Sequence, residues 1–211
     1  MASGTCSPQW HVDGRSCPYG TKVALLGASL TWPNSDQTFL VYLAAFYSTV
    51  PFGMGVGFLL LLLWRRGTRE LLALALLVLQ SGILLLLKLA FGQPRPVGSC
   101  LTSCGMPSGH TMCTITFLTW FAWEALPGHP AFLGASACVL LPVGWSRTVL
   151  RDHTWQQVAA GSVFGILMGC AWHAALKQRS TGRLLDWLVG RVPVLRHSYP
   201  SRRTSREDTG P

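Results

Sequence analysis

Apolar residues fall in long blocks along this chain. Phe39 to Leu63 and Leu71 to Leu87 contain no charged residue, and Val158 to Ala175 contains none apart from His173, which can be protonated. About 18 consecutive apolar residues suffice to cross a bilayer as a helix, so each block predicts a transmembrane span. Thr111 to Trp123 and Ala131 to Trp145 are shorter and more interrupted, and read as spans buried among the others. The pattern predicts five spans. A sixth, around Val23 to Leu30 within residues 19–32, is too short to cross unaided. The expected fold class is all-α, a polytopic membrane helix bundle of about five to six spans.

Between the spans stand three polar clusters: Lys88 with Arg95-Pro96, then Pro107-Ser108-Gly109-His110, then Ser146-Arg147 with His153. Cations and imidazoles at membrane depth are costly, and they mark functional sites by default. Lys88 closes the second span, His110 opens the third, and His153 lies just before the fifth. All three clusters therefore emerge on one face.

The charge pattern assigns that face. Of 211 residues only 12% are charged, against about 25% in ordinary soluble domains. The net charge of +9 is concentrated in Arg65, Arg66 and Arg69 after the first span, and in the stretch from Lys177 to Arg206 after the last. With five spans both groups share a side, which the positive-inside bias makes cytosolic. A topology signal with contact to anionic lipid explains the charge better than nucleic-acid binding. The clusters then face the lumen or exterior. The expected organisation is a luminal N-terminal segment (1–38), a membrane core (39–176) and a basic cytosolic C-terminal tail (177–211), disordered around Arg202, Arg203 and Arg206. Residues 1–38 lack a basic leader followed by an apolar core and a cleavage site, so the first long run is expected to target and anchor the chain.

Cys113, Cys138 and Cys170 fall in spans and read as packing residues. Cys6, Cys17, Cys100 and Cys104 fall on the luminal side, where disulfides are allowed. Cys100 and Cys104 flank the site loop closely enough to pair, and no spacing matches a zinc site.

The residue types suit phosphoryl transfer. Such a reaction needs cations on the equatorial oxygens, a nucleophile in line, and an acid for the leaving oxygen. Arginine forks bind phosphate oxygens in pairs, and lysine adds a compact charge. Pro94 and Pro96 are expected to end the helix and stiffen the loop that presents Arg95. Pro107 and Ser108 start a helix whose first amides form an anion site, and Gly109 allows close backbone approach. His153 and Gln157 are four residues apart, so a helix starting near His153 lets the glutamine oxygen take the imidazole's second proton. Taken singly, a span-end lysine, a capping serine or an interface histidine is commonplace; three such elements on one face are not.

These residues resemble the three signatures of the type 2 phosphatidic acid phosphatase superfamily, whose site is similar to that of the vanadium haloperoxidases. Lys88-x6-Arg95-Pro96 and Pro107-Ser108-Gly109-His110 match fully. Ser146-Arg147-x5-His153 matches until its last position, where Gln157 replaces an aspartate. The resemblance covers about residues 39–176. It implies His153 as the nucleophile, His110 as the general acid, and Lys88, Arg95, Ser108, the Gly109 amide and Arg147 as phosphate ligands, with no metal and no other cofactor. Gln157 would orient His153 without supplying charge.

His153-Thr154-Trp155-Gln156-Gln157-Val158, the glycines at 161, 165 and 169, Gly105-Met106-Pro107-Ser108 and Gln93-Pro94-Arg95-Pro96 look like the dolichyldiphosphatase subfamily. That likeness implies hydrolysis of a polyprenyl diphosphate lipid to the monophosphate and inorganic phosphate, on the luminal face of the endoplasmic reticulum, within protein N-glycosylation. Partners would be that lipid and the bilayer, with no nucleic acid. A glucose-6-phosphatase-like enzyme, sharing His-x3-Gln and Phe91-Gly92-Gln93, is the main rival, beside a broader lipid phosphate phosphatase. An inactive scaffold rests on Gln157 alone. Trp64, Trp120, Trp145 and Trp155 read as interfacial anchors that could also guide a polyprenyl tail.

Overall fold

The computed structural model describes residues 6–25, 28–34, 37–125, 128–192 and 195. A short helix α1 (Gln9–Val12) precedes an antiparallel hairpin of β1 (Gly20–Leu25) and β2 (Ala28–Pro33). Helices follow: α2 (Phe39–Arg65), α3 (Thr68–Phe91), α4 (Gly109–Ala125), α5 (Pro130–Leu140), α6 (Pro142–Val149), α7 (Trp155–Leu176) and α8 (Arg179–Arg191).

Among the described residues four helical stretches are long and apolar enough to cross a membrane: Phe39–Arg65, Thr68–Phe91, Pro130–Val149 and Trp155–Leu176. The remaining expected span, α4, has 17 residues and lies innermost, with Phe117 and Thr116 fully buried. At 1.5 Å rise per residue it is about 26 Å long, close to the hydrocarbon thickness. The sixth span around Val23 to Leu30 does not form. Gly20–Leu25 and Ala28–Pro33 instead pair as the hairpin, in which Val23 faces Leu30 and Lys22 faces Thr31. Ala131 to Trp145 also departs from expectation. Its first half, α5, lies mostly on the outside, with Phe132 and Val139 about half exposed and Leu140 buried in the core, and α6 enters the interior. The charged tail around Arg202 lies outside the described residues.

Lipid offers helices little hydrophobic incentive to associate, so close backbone contact has to hold them together. Gly161, Gly165 and Gly169 supply it along one face of α7. A Cβ there would stand 2.6 Å from Ser108 O, 2.8 Å from Met112 O and 2.8 Å from Thr116 O of the segment beginning α4. α2 turns into α3 through Arg66, in left-handed conformation (φ 55°), whose N–H caps Leu62 O. One core cluster joins Leu72 and Leu76 of α3, Phe117 and Trp120 of α4, and Leu185 of α8. A second seats Leu30 of β2 against Val41, Ala44 and Ala45 of α2 and against Leu150. The N-terminal segment is thus docked on the helices.

The bundle has two chemically distinct ends. At one, Glu124 lies 3.4 Å from Arg69 Nη2 and 3.3 Å from His173 Nδ1, joining the start of α3 to the ends of α4 and α7. The three polar clusters meet at the other.

Candidate active site

The last turn of α3 and the loop from α3 to α4 carry the first cluster. α3 ends on Gly92 in left-handed conformation (φ 53°), whose N–H caps Lys88 O. The glycine therefore stops the helix before the expected Pro94 and Pro96 do. Lys88 Nζ donates to Cys104 O at 2.6 Å. Arg95 donates from all three nitrogens: Nε to Ser103 O (2.8 Å), Nη2 to Ser103 Oγ (3.0 Å), and Nη1 to Asp152 O (2.9 Å) and His153 Nε2 (3.0 Å). Burial, aided by Arg147 and opposed by Asp152, lowers the Arg95 pKa to about 10, so it stays cationic at neutral pH.

Cys100 and Cys104 do not pair with each other. Cys104 bonds to Cys6 and Cys100 to Cys17, fastening the N-terminal segment to the stretch whose carbonyls orient Lys88 and Arg95. Cys113, Cys138 and Cys170 are free.

Ser108 opens α4 and is fully buried. Its N–H donates to Gln157 O (3.0 Å) and its hydroxyl accepts from Thr111 Oγ1 (3.1 Å), so it ties the start of α4 to α7 from behind the cavity. His110 is bonded to the Ser48 backbone, while its buried Nε2 has no partner.

Arg147, 1% exposed, closes α6. Its Nη2 pairs with Asp152 Oδ2 at 2.8 Å, and Nη1 donates to Ser48 Oγ at 3.1 Å, while Nε has no partner. Ser146 instead donates to Val143 O (2.7 Å) and faces Ser48 Oγ. After α6 the chain coils back through Arg151 (φ 56°), and the N–H groups of Asp152 and His153 both reach Arg147 O.

Asp152 is fully buried, and motif reasoning missed it. Its Oδ1 accepts from Thr31 Oγ1 (2.6 Å) and Ser99 Oγ (3.2 Å), and its Oδ2 accepts from Thr31 N (3.2 Å). The only sequence signal was its place directly before His153. Thr31, Ser48 and Ser99, which complete the network, carried none.

His153 is held in one tautomer. Arg95 can only donate, so Nε2 must accept, and Nδ1–H then donates to Gln157 Oε1 at 3.1 Å. Gln157 Oε1 also accepts from Thr154 N, and Thr154 Oγ1 accepts from Gln157 N, a capping box that starts α7. Burial first, then the cations Arg95, Arg147 and Lys88, hold the His153 pKa well below its usual value. The imidazole is therefore neutral at pH 7, with its lone pair on Nε2.

Lys88, Arg95, Gly109, His110, Arg147 and His153 line one cavity of about 740 Å³; Ser108 and Gln157 support it from outside. From this polar end the cavity continues along Pro51, Phe52, Val56 and Leu59 of α2 and Leu77 and Leu84 of α3. None of the four tryptophans considered as tail guides lines it. Trp120 is 2% exposed in the core and Trp145 packs against the hairpin cluster, while Trp64 and Trp155 point outward.

Residues 69–180 match the model of the PAP2 superfamily. The chain is 32% identical over 177 residues to "Dolichyldiphosphatase 1" of Callithrix jacchus and 30% identical over the same length to that of Homo sapiens, covering 74% of each chain. It is 27% identical over 199 residues to "Lipid phosphate phosphatase gamma" of Arabidopsis thaliana, covering 80% of this chain and 87% of that one. No solved structure matches. The chain belongs to the PAP2 superfamily and is a multi-pass membrane phosphatase.

Proposed function

We propose that this phosphatase hydrolyses a polyprenyl diphosphate such as dolichyl diphosphate to the monophosphate and inorganic phosphate. The observation that carries this reading is the shape of the cavity. A cluster of cations and histidines at one end opens onto an apolar wall between α2 and α3, which fits an anionic headgroup on a long hydrocarbon tail.

In the proposed mechanism Lys88, Arg95, the Gly109 amide and Arg147 hold the terminal phosphoryl oxygens. Ser108 positions Gly109 and His110 from behind. His153 Nε2 attacks the terminal phosphorus in line while the bond from phosphorus to the bridging oxygen breaks. That oxygen takes a proton from His110 and leaves as the lipid monophosphate. Water then attacks the phosphohistidine, giving its proton to His110. The P–N bond breaks, inorganic phosphate departs and neutral His153 returns. The unpartnered Nε2 of His110 is the atom that would carry the transferred proton.

The reaction is assigned to the luminal face of the endoplasmic reticulum, where it would return a lipid carrier to N-glycosylation. Arg65, Arg66 and Arg69 lie near the end marked by Glu124, away from the cavity, which supports a cytosolic placement of that end and of the C-terminus. A broader lipid phosphate phosphatase is the second reading, favoured by the likeness to the plant lipid phosphate phosphatase. Phosphate release by detergent-purified protein from polyprenyl diphosphate, phosphatidate and glucose 6-phosphate, run side by side, decides. Preference for the diphosphate is expected; preference for the sugar phosphate would sink the assignment.

A further inference from the structure

The hairpin reaches the cavity. β2 is fixed to the catalytic turn through Thr31, whose N–H and hydroxyl bind Asp152, the residue preceding His153, and whose hydroxyl accepts from Cys100 N at 2.8 Å. Directly across the hairpin from Thr31 stands Lys22. Residues paired across antiparallel strands project to the same face, so Lys22 shares the face that Thr31 turns to the site. Ser29, two residues before Thr31, lies on that face too, and its carbonyl accepts from Arg147 Nη2 at 3.4 Å. Both Lys22 and Ser29 line the cavity that holds Lys88, Arg95, Arg147 and His153.

Lys88, Arg95 and Arg147 are assigned above to the terminal phosphoryl group. A diphosphate brings a second phosphate, which leaves with the lipid and gains charge as the bridging bond breaks. Lys22 is exposed and lines the cavity from the hairpin side, so its side chain is free of the packed core. We propose that Lys22 binds the inner, departing phosphate, making the hairpin the element that selects diphosphates over monophosphates. This assignment rests on the diphosphate reading above. Inorganic pyrophosphate should likewise bind better than orthophosphate because of Lys22.

The test compares the full-length wild type, K22Q and K22R in detergent, with farnesyl diphosphate and farnesyl monophosphate as substrates. Loss of one hydrogen bond to a charged group predicts that K22Q lowers kcat/KM for the diphosphate about tenfold to a hundredfold. Monophosphate turnover should change less than about twofold, which a general structural defect would not spare, and K22R should restore most of the preference. The ratio of inhibition by pyrophosphate to that by orthophosphate should fall in parallel. If the wild type cleaves the diphosphate and K22Q leaves the ratio of the two substrates unchanged, Lys22 is not a diphosphate determinant. If the wild type cleaves only the monophosphate, the diphosphate reading itself fails and the Lys22 assignment falls with it.

Discussion

Gln157 Oε1 accepts a hydrogen bond from His153 Nδ1–H at 3.1 Å, while its Nε2 donates to Pro94 O at 2.8 Å and Gln93 Oε1 at 3.3 Å. The amide is therefore used at both ends. A carboxylate of the same shape would set its second oxygen against the Pro94 carbonyl, which cannot turn into a donor. Gln157 is the fitting residue for this loop, rather than a decayed aspartate.

Q157A should lower kcat about tenfold to a hundredfold, the loss of one orienting hydrogen bond to His153, the proposed nucleophile. Q157E should also be slower than wild type, despite restoring a charge beside His153. G105A should resemble Q157A, because a Cβ at 105 would stand 2.5 Å from Gln157 Nε2 and 2.6 Å from Oε1. Steady-state rates with the diphosphate check all three; a Q157E variant faster than wild type would contradict the fit described.

D152N should destabilise the protein by about 3–5 kcal/mol, because it leaves the Arg147 cation buried without its partner. The thermal midpoint of the purified protein in detergent reads this. An unchanged midpoint would mean that the buried Arg147 does not depend on the Asp152 charge.

Reduction should weaken substrate binding. The stretch from Cys100 to Cys104 supplies the carbonyls that aim Lys88 and Arg95, and both its ends are bonded to the N-terminal segment. Dithiothreitol is expected to raise KM about tenfold, since small misplacements of binding groups are costly. Mass spectrometry of unreduced peptides should find Cys6 with Cys104 and Cys17 with Cys100.

The pH profile follows from His153. The proposed attack needs the neutral imidazole, and burial together with neighbouring cations depresses its pKa, so the neutral form persists below pH 6.5. Removing a cation reverses part of that shift. The acid limb of kcat/KM should therefore move to higher pH in R95Q, measured with a single substrate whose own ionisation is common to both proteins.

The helical spans and the motif residues were legible because hydrophobic length and motif spacing are local properties. What escaped was made by distant contacts. Four cysteines on one side allow three pairings, and the two bonds that form span 98 and 83 residues. Asp152 looks like a solvated acid until Thr31, 121 residues away, is seen to bind it. The hairpin was hidden because Val23 to Leu30 is apolar enough to read as part of a span, and one side of it is indeed buried on α2. The α7 glycines were visible, but their close approach to α4 depends on a register between helices that sequence alone does not set.

Transfer of the terminal phosphate to His153 is the step on which the assignment depends most. Protein incubated with polyprenyl diphosphate labelled in the terminal phosphate and quenched in alkali, which preserves phosphohistidine, should carry label on the peptide containing His153. H153A should carry none and should release phosphate at least a thousandfold more slowly, roughly the scale of removing a catalytic nucleophile. Phosphate release by H153A at the wild-type rate would contradict the assignment.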